Sequence, residues 1–144
     1  MRRPFILLWD NKMSAIYPKA KEAMLSGGIN LATGTVKAAL VDTGTYTYSA
    51  AHEFYSSVSA SVVGTPATLA SKTVTGGVFD ADDVTFASVS GNSIEAVVLY
   101  IDTGTPSTSR LIAYIDAGSG LPLTPNGTNV QMVWDSGANK IFAL

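Results

Sequence analysis

Four times in this chain an apolar run closes on an aspartate that is followed two residues later by glycine. The four are Val41-Asp42-Thr43-Gly44, Ile101-Asp102-Thr103-Gly104, Ile115-Asp116-Ala117-Gly118 and Trp134-Asp135-Ser136-Gly137. A carboxylate presented at a strand end by such a turn could act as a general acid or base, and two of them sharing one proton would activate water against a peptide bond. The same spacing also serves a plain structural purpose: a short acceptor caps the backbone ahead of it, and glycine supplies a positive φ. Fourfold repetition points to turn chemistry, because four reaction centres have no use in one small chain. Three carboxylates in Asp80-Ala81-Asp82-Asp83 could contribute to a calcium site. The spacing and terminal Glu of an EF-hand are missing, and a solvated loop between strands is the expectation. His52-Glu53 could form an acid/base pair, but neighbours on a strand or turn point apart, so the single histidine is expected to satisfy a backbone carbonyl. Gly27-Gly28 and Gly76-Gly77 lack phosphate-loop spacing and read as turns. Cysteine is absent, which removes thiolate chemistry, disulfides and soft-metal sites. No catalytic residue, cofactor or metal is expected.

Asp42-Thr43-Gly44, taken alone, is similar to the catalytic loop of aspartic proteases, and Val62-Val63-Gly64 follows it as an apolar-apolar-Gly element. A dimeric aspartic protease is therefore the enzyme alternative, set against the four repeats.

The elements that must position these residues are mostly strands. The central feature is a hairpin of Ile94–Asp102 and Arg110–Asp116 joined by a Thr/Gly/Pro/Ser loop. Its first run is apolar at both alternating sets of positions, so both faces are expected to be covered. Pro18–Leu25 reads as the one helix, begun by proline and ended by Ser26-Gly27-Gly28, with Tyr17, Ala20 and Met24 toward the body. Thr35–Asp42 is a strand. Residues 46–61 read as a long loop with a helical turn near His52–Tyr55. Short strands follow at Ser61–Val63, Ala67–Leu69, Lys72–Thr75, Val78–Phe79 and Val84–Ala87. Asn129–Trp134 and Lys140–Ala143 are expected to make a second hairpin. The core is centred on Val97, Leu99, Ile101, Leu111, Ile112, Ile115, Val133 and Phe142. These elements describe a mainly β domain, an antiparallel two-sheet sandwich with one short N-terminal helix, for which a jelly roll is one available connection.

Length and composition support one domain with a substantial core. Charged residues are only 14%, whereas Ser and Thr fill 30 of 144 positions, so the surface is polar but weakly charged. Such a surface is poorly protected against association, and a homo-oligomer, a trimer or dimer, is expected. Charge is unevenly spread: residues 1–37 sum to +4, residues 38–139 to −7. The basic residues are dispersed without aromatic interleaving, which argues against nucleic acid, and no membrane span is present. Residues 1–12 read as an N-terminal arm ahead of a domain at 13–144, either a docking arm or an upstream-start leader, with Met13 as an alternative start. The apolar core of the arm, Phe5 to Trp9, is too short for a secretory signal. Phe5, Leu7 and Trp9 are candidate anchors on a neighbouring subunit, with Arg2, Arg3 and Lys12 meeting carboxylates.

From Tyr17 to Leu144 the chain resembles small structural proteins of tailed bacteriophages. The likeness is carried by the helix ending Ser26-Gly27-Gly28-Ile29-Asn30, by Val36–Asp42 and by Thr75-Gly-Gly-Val-Phe-Asp-Ala-Asp-Asp-Val-Thr-Phe86. It continues in Glu95–Thr105, Ser109–Asp116 and Trp134-Asp-Ser-Gly-Ala-Asn-Lys-Ile-Phe142. The resemblance implies a virion component without enzymatic activity, assembled in the host cytoplasm, whose partners are the major capsid protein or other virion proteins. It transfers no site residue, does not cover residues 1–12, and leaves head, neck and tail positions open. A capsid cement or decoration protein suits the small, charge-poor β domain; a tail, baseplate or neck protein and a glycan-binding module are the alternatives.

Overall fold

The computed structural model describes the backbone of residues 5–8 and residues 15–144 in full. Among the described residues the chain is mainly β, its strands paired antiparallel except for Phe5–Leu8 with Val130–Val133, with one short α-helix. Its largest sheet has five strands, all antiparallel, in the order β2 (Ala15–Ile16), β9 (Leu111–Ile115), β8 (Ala96–Ile101), β3 (Val36–Val41) and β4 (Val62–Thr68). The expected hairpin is thus present, and β8 is the middle strand. Two smaller sheets take the remaining strands. One is β1 (Phe5–Leu8), β10 (Val130–Val133) and β7 (Val84–Phe86); the other is β5 (Thr73–Thr75), β6 (Val78–Asp80) and β11 (Phe142–Ala143).

Register explains why β8 is apolar throughout. Val97 and Leu99 pair with Leu40 and Ala38 and share one face; Ala96, Val98 and Tyr100 pair with Val41, Ala39 and Lys37 on the other. Every residue of β8 up to Tyr100 is buried. Residues 46–61 cover the face that bears Tyr100 and Tyr114: the Tyr55 ring stacks on Tyr100 at 3.9 Å, and Tyr48 meets Tyr114 at 5.1 Å. Val97 and Leu99 belong to the same buried cluster as Phe79, Phe86, Met132 and Phe142 from the smaller sheets and Trp134 just after β10.

The helix α1 (Pro18–Leu25) starts and stops where the sequence places it. It closes with Gly28 N–H donating to the Ala23 carbonyl at 2.8 Å and Gly27 at φ +72°, a left-handed residue that only glycine takes cheaply. Tyr17, Ala20 and Ala23 are its buried positions; Met24 is only partly covered.

Several expectations need correction. β10 and β11 do not form a hairpin: β10 lies between β7 and β1, and β11 pairs with β6. Local spacing suggested neighbours, but each strand found a partner far away in sequence. The two strands expected at Ser61–Val63 and Ala67–Leu69 are one strand, β4, which takes in neither Ser61 nor Leu69 and whose register slips opposite Ala38–Leu40 to absorb Gly64 and Pro66. The helical turn of the long loop lies later than expected, as two 3-10 turns at Tyr55–Ser57 and Ser59–Ser61. In the expected core, Ile101 and Val133 are only partly buried, each in the last position of its strand.

Candidate functional site

The four Asp-x-Gly segments sit where strands end. At the end of β3, the Asp42 carboxylate accepts from Gly44 N–H at 2.7 Å through Oδ1 and from Asn92 Nδ2 at 2.9 Å through Oδ2. Asp42 is 8% exposed, and both of its oxygens serve to fix a turn. Each oxygen holds one donor from the protein, which ties the carboxylate into the turn. Asp102 at the end of β8 repeats the arrangement, its Oδ1 accepting from Gly104 N–H at 2.9 Å. Its second oxygen meets the Lys37 ammonium at 2.7 Å. That ammonium, followed by the Gly104 N–H, holds the Asp102 carboxyl below the ordinary carboxylate value.

Glycine is required in these turns for two different reasons. Gly104 takes φ +87°, as expected. At Gly44 and Gly137 the reason is proximity: a Cβ would stand 2.9 Å from Asp42 Oδ1 and 2.8 Å from Asp135 Oδ2. The aspartate folds back over its own turn and occupies the space a side chain would need.

The acidic stretch 80–83 is tied into the framework. Asp83 Oδ1 accepts from the backbone N–H of Trp134 at 2.9 Å, and the Asp82 carbonyl accepts from Trp134 Nε1 at 3.0 Å. These bonds fix the residue that follows β10. No group of three or more metal-ligating side chains occurs among the described residues. A shallow hollow of about 340 Å³ lies beside this latch, lined by Asp80, Asp82, Asp83, Trp134, Asp135 and Lys140.

The His52 ring takes a hydroxyl as its partner in place of the expected backbone carbonyl. Its Nδ1 is 2.8 Å from the Tyr46 hydroxyl, which is 2.8 Å from the buried Tyr17 hydroxyl. The chain of three joins α1 to the long loop. Burial, followed by the bond to Tyr46, pushes the Tyr17 phenol far above its ordinary value, so it stays neutral. Glu53 points the other way, to Arg110 at 2.7 Å. The Arg110 guanidinium also lies 5.2 Å from the centre of the Phe54 ring. The expected divergence of His52 and Glu53 is therefore present, and sequence spacing offered no sign of Tyr46 as the partner of His52.

The cleft nearest Asp42 has a volume of about 290 Å³ and small walls, including Ser61, Gly64, Gly91 and Asn92. Thr45 Oγ1 donates to Ser61 Oγ at 2.9 Å along its floor. Its side chains bond one another.

Of the candidate interface residues, Arg2, Arg3, Trp9 and Lys12 lie outside the described residues. Phe5 and Leu7 fall in β1, whose backbone runs parallel to β10 of the same chain with Phe5 opposite Val130 and Leu7 opposite Met132. No helix among the described residues is long and apolar enough to cross a membrane. No family model and no curated protein matches this chain.

Proposed function

We propose that this chain is a non-enzymatic structural protein of the virion of a tailed bacteriophage, a cement or decoration protein that bridges neighbouring major-capsid subunits. The sequence likeness from Tyr17 to Leu144 carries the identity of the particle. The observation that supports a structural rather than chemical role is the state of Asp42, whose two oxygens close a turn and hold Asn92. The charge-poor Ser/Thr surface suits burial between protein neighbours, since desolvating a hydroxyl costs less than desolvating Lys or Glu. Many copies, each making modest contacts, would add up to strong retention on a lattice.

An inventory of purified virions by mass spectrometry, with copy number measured against the major capsid protein, tests this reading. Presence at a copy number comparable to the capsid protein is the expected result. A few copies per particle would move the protein to the tail or neck, and absence from virions would end the proposal.

A further inference from the structure

The strand β1 is attached to the fold in an unusual way. Among the described residues it is the one strand whose pairing is only parallel, it lies at the edge of its sheet, and β10 is its only strand partner. The chain then continues into β2, which belongs to a different sheet. Six residues separate Leu8 from Ala15, enough to span roughly 20–25 Å when extended. No tight turn joins β1 to its acceptor, so nothing local specifies which copy's β10 it must find.

β10 has supports besides β1: β7 pairs with its other side, and the Asp83–Trp134 latch holds the residue that follows it. An unfilled edge presents a row of backbone groups that any extended segment of matching register can satisfy. Phe5-Ile6-Leu7-Leu8 is an uninterrupted apolar segment with neither charge nor proline to discourage pairing.

Charge is compatible with a donor from the same chain or from another copy. Residues 1–14 carry Arg2, Arg3 and Lys12 against Asp10, whereas residues 15–144 carry ten acidic and six basic groups. The hollow beside the C-terminal end of β10 concentrates Asp80, Asp82, Asp83 and Asp135 around one lysine. The net-basic arm and the net-acidic body attract each other whether they belong to one chain or to two.

We propose that β1 is an exchangeable strand: in the assembled protein, Phe5–Leu8 of one copy pairs with β10 of a second copy, and the second returns its own β1 in the same register. The bonds made are those of the closed chain. Reciprocity makes the second insertion intramolecular, which gives the exchanged pair its persistence. This inference does not depend on the virion reading, because it concerns two copies of this chain alone.

The chain has no cysteine, so engineered thiols report the pairing without background. Ile6 and Gln131 are opposite each other in the ladder, and Gln131 is only partly buried. Ile6→Cys and Gln131→Cys would be placed on separate, differently sized full-length copies, co-expressed, purified and oxidised. The expected result is a disulfide-linked heterodimer on a non-reducing gel, severalfold more abundant than with Ile6→Cys and Lys21→Cys, and increasing with protein concentration. The double variant Ile6→Cys/Gln131→Cys on one chain reports the closed form. If the double variant closes within the chain while mixed copies link no better than the control, β1 is a resident strand and the proposal is wrong. It also fails if neither arrangement links, since the register itself would then be absent.

Discussion

Leu99 stands in the middle strand of the five-stranded sheet with no exposure to solvent, and its two cross-strand neighbours are Ala38 and Ala113. Replacing it with alanine would place three alanines abreast on one face. Removing three carbon atoms forfeits about 2.4 kcal/mol of transfer free energy at roughly 0.8 kcal/mol per methylene. The methyl groups of Ala38 and Ala113 are too short to reach into the space left, so the cavity persists and adds about 1–2 kcal/mol at roughly 24 cal/mol per Å³. Leu99→Ala should therefore cost about 3–4.5 kcal/mol, in the upper part of the range for such changes. Ile101→Ala, at the partly exposed end of the same strand, should cost less than half as much. Chemical denaturation with an unchanged slope would provide both values. A cost below about 1 kcal/mol for Leu99→Ala, or equal costs at the two sites, would refute the placement of β8 at the centre of the core.

Three further substitutions probe the aspartate turns. Asp42→Asn keeps one carbonyl oxygen for Gly44 and should cost under about 1 kcal/mol, while Asp42→Ala loses both bonds and should cost about 1.5–3 kcal/mol. Neither should alter a peptide-cleavage assay at acid pH; activity abolished by Asp42→Asn would reverse the assignment of this residue. Asp102 sets a pH dependence. Its carboxyl is held below the ordinary value of 3.8, first by Lys37 and then by the Gly104 N–H, so its contribution is complete above that value and is lost as pH falls through the lower folded one. Asp102→Asn should flatten the acid limb of the stability curve below about pH 4, and an unchanged limb in acid titration followed by circular dichroism would contradict the pairing.

Elements whose causes are local were legible in the sequence. Pro18 and Gly27 delimit α1 because their backbone preferences act within a turn, and the doubly apolar run at Ala96–Ile101 announces burial on both faces whichever strands supply it. Asp102 and Gly104 behave as their types suggest. What escaped was partnership at a distance. Nothing near Val130–Val133 says that Val84–Phe86 and Phe5–Leu8 will flank it, and nothing near His52 selects Tyr46, because the intervening loop decides which ring arrives. Asp83 looked like a solvated loop residue because its role depends on the backbone of Trp134, which composition does not reveal. Gly44 was read as a residue with positive φ, when the space taken by the Asp42 oxygen is what excludes a side chain.

The parallel pairing of β1 with β10 also bears on the order in which the molecule can be completed. Phe5–Leu8 is synthesised more than 120 residues ahead of its partner, Val130–Val133. At about 5–20 residues per second, an apolar tetrapeptide waits roughly 6–25 seconds after its own synthesis before any acceptor from the same ribosome exists. Folding of the five-stranded sheet has ample time to run ahead of it. On a polysome, older chains nearby already present finished acceptors during that interval, so the timing of translation favours a first encounter between copies.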